Sequence, residues 1–294
     1  MAASLTARRG RERGFFSISH PHAINLDVQF APTTHVFLVF GFGYCCHRNA
    51  SGAQITLIDP SLAAALHLDT QGAAVVAGAG SRQSSSFAQL DLVEAGSHAV
   101  AKQKVLVYDL QNLHSADLHI QGILGEDFLE HFDMLIDNAH RLLCLDNSDA
   151  MRAEVKGPHI PLVATAEPED GVALPGLLIV AVRLSDGMRP VRLMLDSGTN
   201  APVLYNTSQY MALPLSQSVP LRGNGVDGAQ RIFLALPPQD VKIGSLELSR
   251  VPFFRLAGTQ KDALVKGFDG VLTTGSFRRV FIDHADRFAI LEPR

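Results

Sequence analysis

The chain has no tryptophan, only four tyrosines and only three cysteines in 294 residues. Aromatic residues are mostly phenylalanine, so stacking platforms for nucleic-acid bases are not expected. Positive charge is not in excess either: 25 lysines and arginines stand against 29 aspartates and glutamates, a formal charge of −4. A basic stripe that could track a phosphate backbone is missing, and nucleic acid is not an expected partner. Three cysteines, Cys45, Cys46 and Cys144, are too few for a disulfide framework. Buried thiols acting as small apolar groups are the simpler reading, with a bridge from Cys45 or Cys46 to Cys144 as the alternative. No apolar run reaches the ~18 residues of a membrane-crossing helix, so no membrane span is expected. The longest, HVFLVFGFGYCC at 35–46, follows arginines at 8, 9, 11 and 13. Polar residues separate the two and no small-x-small cleavage site follows, so it reads as a core strand rather than a leader. The compartment, cytoplasmic or exported, stays open.

What is present is a foldable chain: 47% apolar and 18% charged residues, long enough for two small domains or one bilobal unit. The most informative stretch is VRLMLDSGTNAPVL at 191–204. An apolar strand, Val191 to Leu195, drives into Asp196, and Ser197, Gly198 and Thr199 follow before apolar residues resume. Asp, Ser and Gly are ordinary turn residues. A solvent-facing turn, however, is seldom bordered by core sequence on both sides, and a carboxylate is rarely carried there without a partner or a task.

The marks recur. AQITLIDPSLAAAL at 53–66 also runs an apolar strand into an aspartate, Asp59. FDMLIDNAHRLLCLD (132–146) and RRVFIDHADRFAILEP share I-D-x-A-x-R-x-x-x-L, at Ile136–Leu145 and Ile282–Leu291. QGILGEDFL (121–129) and DGVLTTGSF (269–277) precede them, each with G-[IV]-L. From Asp59 to Asp137 is 78 residues (137 − 59), and from Asp196 to Asp283 is 87 (283 − 196). Such a period implies duplication at the scale of a domain rather than a short repeat.

Many short strands with glycine breaks predict a mostly β architecture with barrel-like lobes. Helical spacing is confined to 126–132 and, more weakly, 61–68 and 205–212. The expected organisation is an N-terminal arm at 1–30, a first lobe at 31–146, a linker rich in Pro, Gly and charge at 147–176, and a second lobe at 177–294. FGFGYCC and AGAGSRQ each hold G-x-G but lack the third glycine of a dinucleotide loop. His20, His22 and the Cys45-Cys46-His47 run have no second half with ligand spacing, so no metal and no cofactor are expected. None of the 12 histidines is assigned to chemistry, and Ser197 lacks the G-x-S-x-G setting of a nucleophile.

With those residues in view, D-S-G-T at 196–199 after RLML, together with Gly270–Leu272, resembles the signature of aspartic proteases. GILGEDFLEHFDMLIDNAHRLLCLD resembles the closing segment of bacterial retropepsin-like proteases. The likeness extends over roughly residues 34–146 and 177–293. It implies two similar β lobes fused as a pseudo-dimer within one monomeric chain, each giving one aspartate to a shared cleft that cuts peptide or protein substrates. The implied dyad is Asp196 with Asp59, supported by Ser197, Gly198 and Thr199 on one side and by Pro60 and Ser61 on the other. Two carboxylates close together hold one proton between them, so that one acts as base on a water and the other polarises the carbonyl. The first lobe departs from D-[TS]-G: Pro60 has no N–H and Ser61 lacks the freedom of glycine. A degenerate pair of lobes that binds peptide without cutting it is therefore the competing expectation. Glycine- and serine-rich stretches at 77–89 and 222–231 are the expected flaps over the cleft.

Overall fold

The computed structural model describes residues 14–17, 24–30, 34–40, 53–78, 81–95, 98–113, 120–140, 142–146, 149–163, 176–185, 189–205, 220–224, 230–257 and 267–294. Among these the protein is mostly β, as expected, with three sheets. A seven-stranded N-terminal sheet runs in the order Ile24–Phe30, Thr34–Phe40, Gly122–Ile123, Leu57–Ile58, His98–Val107, Ser81–Ala95, Gln71–Gly78. Its first strand also pairs with Ser81–Ala95, through Val28 opposite Ala95. A nine-stranded C-terminal sheet contains Val191–Asp196 between Ile179–Leu184 and Gly270–Thr273. A six-stranded sheet is built by both halves: Gly14–Ser17, Leu142–Asp146, Asp133–Asp137, Phe277–Asp283, Phe288–Pro293 and Ile160–Pro161.

The sequence explains why these strands sit where they do. Asp133–Asp137 is buried at all five positions, and Val191–Asp196 at every position except Arg192. Strands covered on both faces need near-continuous apolar runs rather than alternation. DMLID and VRLML supply them. Each leucine or isoleucine so buried contributes about 1.5–3 kcal/mol. One contiguous core joins the halves, from Ile58 and Phe128 through Val280 and Ile282 to Leu193, Leu195 and Leu272.

The shared sheet has a two-fold register. Ile136 lies opposite Val280 and Met134 opposite Ile282, with Leu135 and Phe281 paired at the centre. Swapping each residue for the one 146 positions away (283 − 137) returns these three pairs. The flanking hairpins obey it too: Asp137 pairs with Leu142, and Asp283 with Phe288. Asp137 and Asp283 thus occupy equivalent strand ends, as the shared I-D-x-A-x-R pattern predicts.

The other two sheets correspond in the same way. Leu57–Ile58 pairs antiparallel with Gly122–Ile123 and parallel with Leu106–Val107. Val203–Leu204 pairs antiparallel with Gly270 and Val271 and parallel with Phe254 and Arg255. Leu38 meets Gly122 in parallel, as Leu193 meets Gly270. The strand matching Val191–Asp196 is therefore Thr34–Phe40.

Within the expected arm, Gly14–Ser17 and Ile24–Phe30 form strands, the first paired with Leu142–Asp146 and the second with Thr34–Phe40. The linker segment contains a helix, Asp149–Glu154, whose Met151 and Val155 pack on Leu135 and Phe281. Helices form at Glu126–Leu129 and Pro60–Ala65, while 206–212 lies outside the described residues. Cys144 is buried, and Cys45 and Cys46 also lie outside them. Among the described residues no helix is long and apolar enough to cross a membrane.

Candidate functional site

Asp196 closes its strand opposite Thr273 of the parallel neighbour and is 3% exposed. The next residues turn back on it: the Gly198 N–H donates to Asp196 Oδ1 at 2.7 Å, an Asx turn that holds the carboxylate at the loop. Thr199 Oγ1 donates to the Ala201 carbonyl at 3.0 Å. The neighbouring strand end clamps the loop from below, where Thr273 Oγ1 donates to the Thr199 carbonyl at 2.6 Å and accepts from the Gly275 N–H at 3.1 Å. Ser197, Gly198 and Thr199 thus all belong to one loop around Asp196, as expected from the sequence.

Residues 53–56 belong to the matching loop of the N-terminal half, ahead of the strand Leu57–Ile58. Thr56 takes the place of Pro202, and its N–H and Oγ1 both donate to Asp127 Oδ1, at 2.9 and 2.7 Å. The Gly125 N–H donates to Thr56 Oγ1, and the Glu126 and Asp127 N–H groups donate to the carbonyls of Ala53 and Gln54. Burial raises the Asp127 carboxyl above its ordinary range, against the lowering effect of the Thr56 bonds.

Asp59 stands elsewhere than its expected counterpart. It follows Leu57–Ile58, and its N–H donates to the Gln121 carbonyl. In the other half the N–H of Tyr205 follows Val203–Leu204 and donates to the Asp269 carbonyl. The expected equivalence of Asp59 with Asp196 is corrected: Asp59 corresponds to Tyr205. The Tyr205 position is two strands from Asp196 in the sheet order and at the opposite end of their shared neighbour Gly270–Thr273.

Asp59 has a structural occupation there. It is the N-cap of helix Pro60–Ala65, with Oδ1 accepting from the Ser61 N–H at 2.9 Å and from Ser61 Oγ at 2.5 Å. Its Oδ2 accepts from the buried Leu110 N–H at 3.2 Å. Pro60 sits in the first turn, where a missing N–H costs nothing. D-P-S is thus a helix start.

Counting back from 57–58 and 203–204 at the same offset of 146, Asp196-Ser197-Gly198-Thr199 falls on Ala50-Ser51-Gly52-Ala53; from Leu38 and Leu193, which meet Gly122 and Gly270, the offset is 155 (193 − 38), so the N-terminal half is nine residues longer between the two anchors. Residues 41–52 lie outside the described residues. The correspondence is one of sequence, anchored by the shared pairing of 57–58 and 203–204.

Between the two loops lies a cavity of about 60 Å³. Ala53 and Glu126 line it from the N-terminal half, Ser197 and Thr274 from the C-terminal half, over a floor that includes Ile136 and Ile282. Two residues here had escaped the sequence reading. Glu126 and His284 are buried, and His284 Nε2 lies 2.5 Å from Glu126 Oε1 while Nδ1 lies 2.6 Å from the Phe132 carbonyl oxygen. Burial pulls the His284 pKa down, but the bond to Glu126 and its charge outweigh this, and the net shift is upward. The only sequence signal for the pair was position: Glu126 follows GILG, and His284 follows the repeated I-D. Among the described residues no group of His, Cys, Asp and Glu is placed to hold a metal ion.

Residues 51–128 match a family model described as aspartyl protease. The match begins at Ser51-Gly52 and ends at Phe128, so it takes in the N-terminal loop and GILGEDF. No curated protein is similar enough to the chain to match it.

Proposed function

We propose that this chain is an aspartic-type peptidase of bilobal, retropepsin-like build, arisen by internal duplication, with Asp196 as its working carboxylate. One observation carries the reading: a buried aspartate ends a core strand and is turned back on itself by the Gly198 N–H, in a loop whose Ser197 lines a cavity between the two halves. The family match to aspartyl proteases supports the class of chemistry, and the constant offset of 146 in the shared sheet supports duplication and lobes on either side of 147–176.

In this reading an extended peptide lies across the loops. The Asp196 carboxylate takes one proton from a water as the water oxygen adds to the peptide carbonyl carbon. The C–N bond then breaks, and the amine nitrogen leaves with that proton, giving one new carboxyl and one new amino end. The hairpins Gln71–Gly78 with Ser81–Ala95 and Leu221–Asn224 with Gln230–Ala235 are candidates to close over the peptide. The unit acts as a single chain on peptide or protein.

A second reading is favoured by a specific observation: Asp59 caps its own helix, and Ala50 stands where a second loop aspartate would be counted. A pair of lobes with one loop carboxylate would bind extended peptide without cutting it. Cleavage of fluorescein-labelled casein from acidic to neutral pH separates the two. The peptidase reading expects turnover that Asp196→Asn abolishes and that chelators leave intact. Absence of turnover at every pH, with casein still bound, selects the second reading.

A further inference from the structure

We propose that His284 and Glu126 form a pH-operated latch across the seam between the two halves, closed while the imidazole is protonated and open once it is not. The latch is independent of the peptidase reading and holds whether or not the chain cuts peptide.

The two-fold register places one contact twice. Asn138 and His284 are the residues that follow the repeated I-D, 146 positions apart (284 − 138). Each crosses to the segment that leads from G-[IV]-L into the shared strand of the other half. Asn138 Nδ2 donates to the Thr274 and Phe277 carbonyls, both at 2.9 Å. His284 Nδ1 lies 2.6 Å from the Phe132 carbonyl oxygen, and Nε2 lies 2.5 Å from Glu126 Oε1. In both places a single side chain serves two acceptors of the opposite half.

The copies differ in what supplies the hydrogens. A primary amide carries two N–H hydrogens at any pH, whereas an imidazole carries two only as imidazolium. The Phe132 carbonyl and an ionised Glu126 can only accept. A neutral ring therefore satisfies one of them and turns a lone pair on the other. His284 is 9% exposed and Glu126 8%, so water has little access to replace the lost bond, and an unsatisfied buried group is costly. Burial lowers the His284 pKa, but the bond to Glu126 and its charge more than reverse this, so the net shift is upward.

The neighbouring charges act on the same pair. Asp133 accepts from the His284 backbone N–H and favours the imidazolium. Arg152 opposes Asp133 and also holds Asp283 and Asp286. On the Glu126 side stand Asp127, Glu130 and His131, and burial raises both Asp127 and Glu130. The His98 ring packs on Phe132 at 4.7 Å. Because the folded pKa of His284 is raised, the latch contributes fully below the unfolded value of about 6.5 and is lost as pH rises through the folded one. The Asn138 contact has no such dependence.

The test uses the full chain between pH 5 and pH 9. Carbon-labelled histidine NMR reads the titration of His284, identified by the signal missing from His284→Asn, and a midpoint above 6.5 is expected. Thermal unfolding should give wild type a lead over His284→Asn of at least about 3 °C at pH 5, shrinking toward zero across that midpoint. Glu126→Gln should lower the midpoint, because its amide can donate to a neutral Nε2. Asn138→Ala should cost an amount that does not change with pH. In the unmutated chain, hydrogen-exchange protection of the Asp133–Asp137 amides should fall at least about tenfold across the midpoint, and this carries the test if a variant does not fold. A midpoint at or below 6.5, a wild-type lead that stays constant through it, or unchanged protection overturns the latch.

Discussion

Replacing Asp59 separates a catalytic role from a structural one. Asp59→Ala removes the N-cap of Pro60–Ala65, worth about 1 kcal/mol. It also strands the Leu110 N–H, whose residue is fully buried, at a further cost of about 1–3 kcal/mol. Together these predict a loss of about 2–4 kcal/mol. For a chain of this size that is a fall in Tm of roughly 3–7 °C. Asp59→Asn is milder, because its amide oxygen still accepts from the Ser61 N–H while its NH₂ meets the Leu110 donor. Thermal unfolding by circular dichroism gives the stability arm, and casein cleavage well below the melting temperature gives the activity arm. Both variants should keep wild-type turnover per folded molecule. Loss of turnover in Asp59→Asn with an unchanged Tm would put Asp59 in the chemistry and refute the reasoning.

Other outcomes follow from the same geometry. Gly270→Ala would bring a Cβ within 2.1 Å of the Val203 carbonyl oxygen, a backbone clash inside the sheet that supports the Asp196 loop; a loss of about 3 kcal/mol or more in chemical denaturation is expected. Arg152→Ala removes the guanidinium that lies 2.7 Å from Asp283 Oδ2 and 3.4 Å from Asp133 Oδ2. The cost should stay below the about 3–5 kcal/mol of a fully buried pair, because Arg152 is one-third exposed. Burial and Asp283 already raise Asp133, so the variant's deficit should be largest at neutral pH and shrink as acid protonates these carboxyls, read as Tm against pH. Ala50→Asp should raise casein turnover severalfold, by restoring the carboxylate that the count back from 57–58 puts at residue 50; unchanged turnover refutes that correspondence.

The β class, the D-S-G-T loop and the paired I-D ends were legible because each is written in local sequence: continuous apolar runs for strands covered on both faces, and a glycine two residues after an aspartate. The second carboxylate was misread because Asp59 ends an apolar strand as Asp196 does, and LIDPSLAAAL carries no local mark of which strand it is. Only the partners distinguish them. Leu57–Ile58 pairs like Val203–Leu204, whereas Thr34–Phe40 pairs like Val191–Asp196.

Spacing held the missing signal. The intervals of 78 (137 − 59) and 87 (283 − 196) differ by nine, the separation of Asp196 and Tyr205 (205 − 196). Measured from Asp283, Tyr205 is the residue at 78, and measured from Asp137, Ala50 is the residue at 87. An aspartate that moves nine residues between two copies is therefore two different positions, one capping a helix and one ending a loop strand. The Glu126–His284 pair was illegible for a different reason. Its members are 158 residues apart and meet only because the shared sheet brings the end of Phe277–Asp283 against the helix start after GILG.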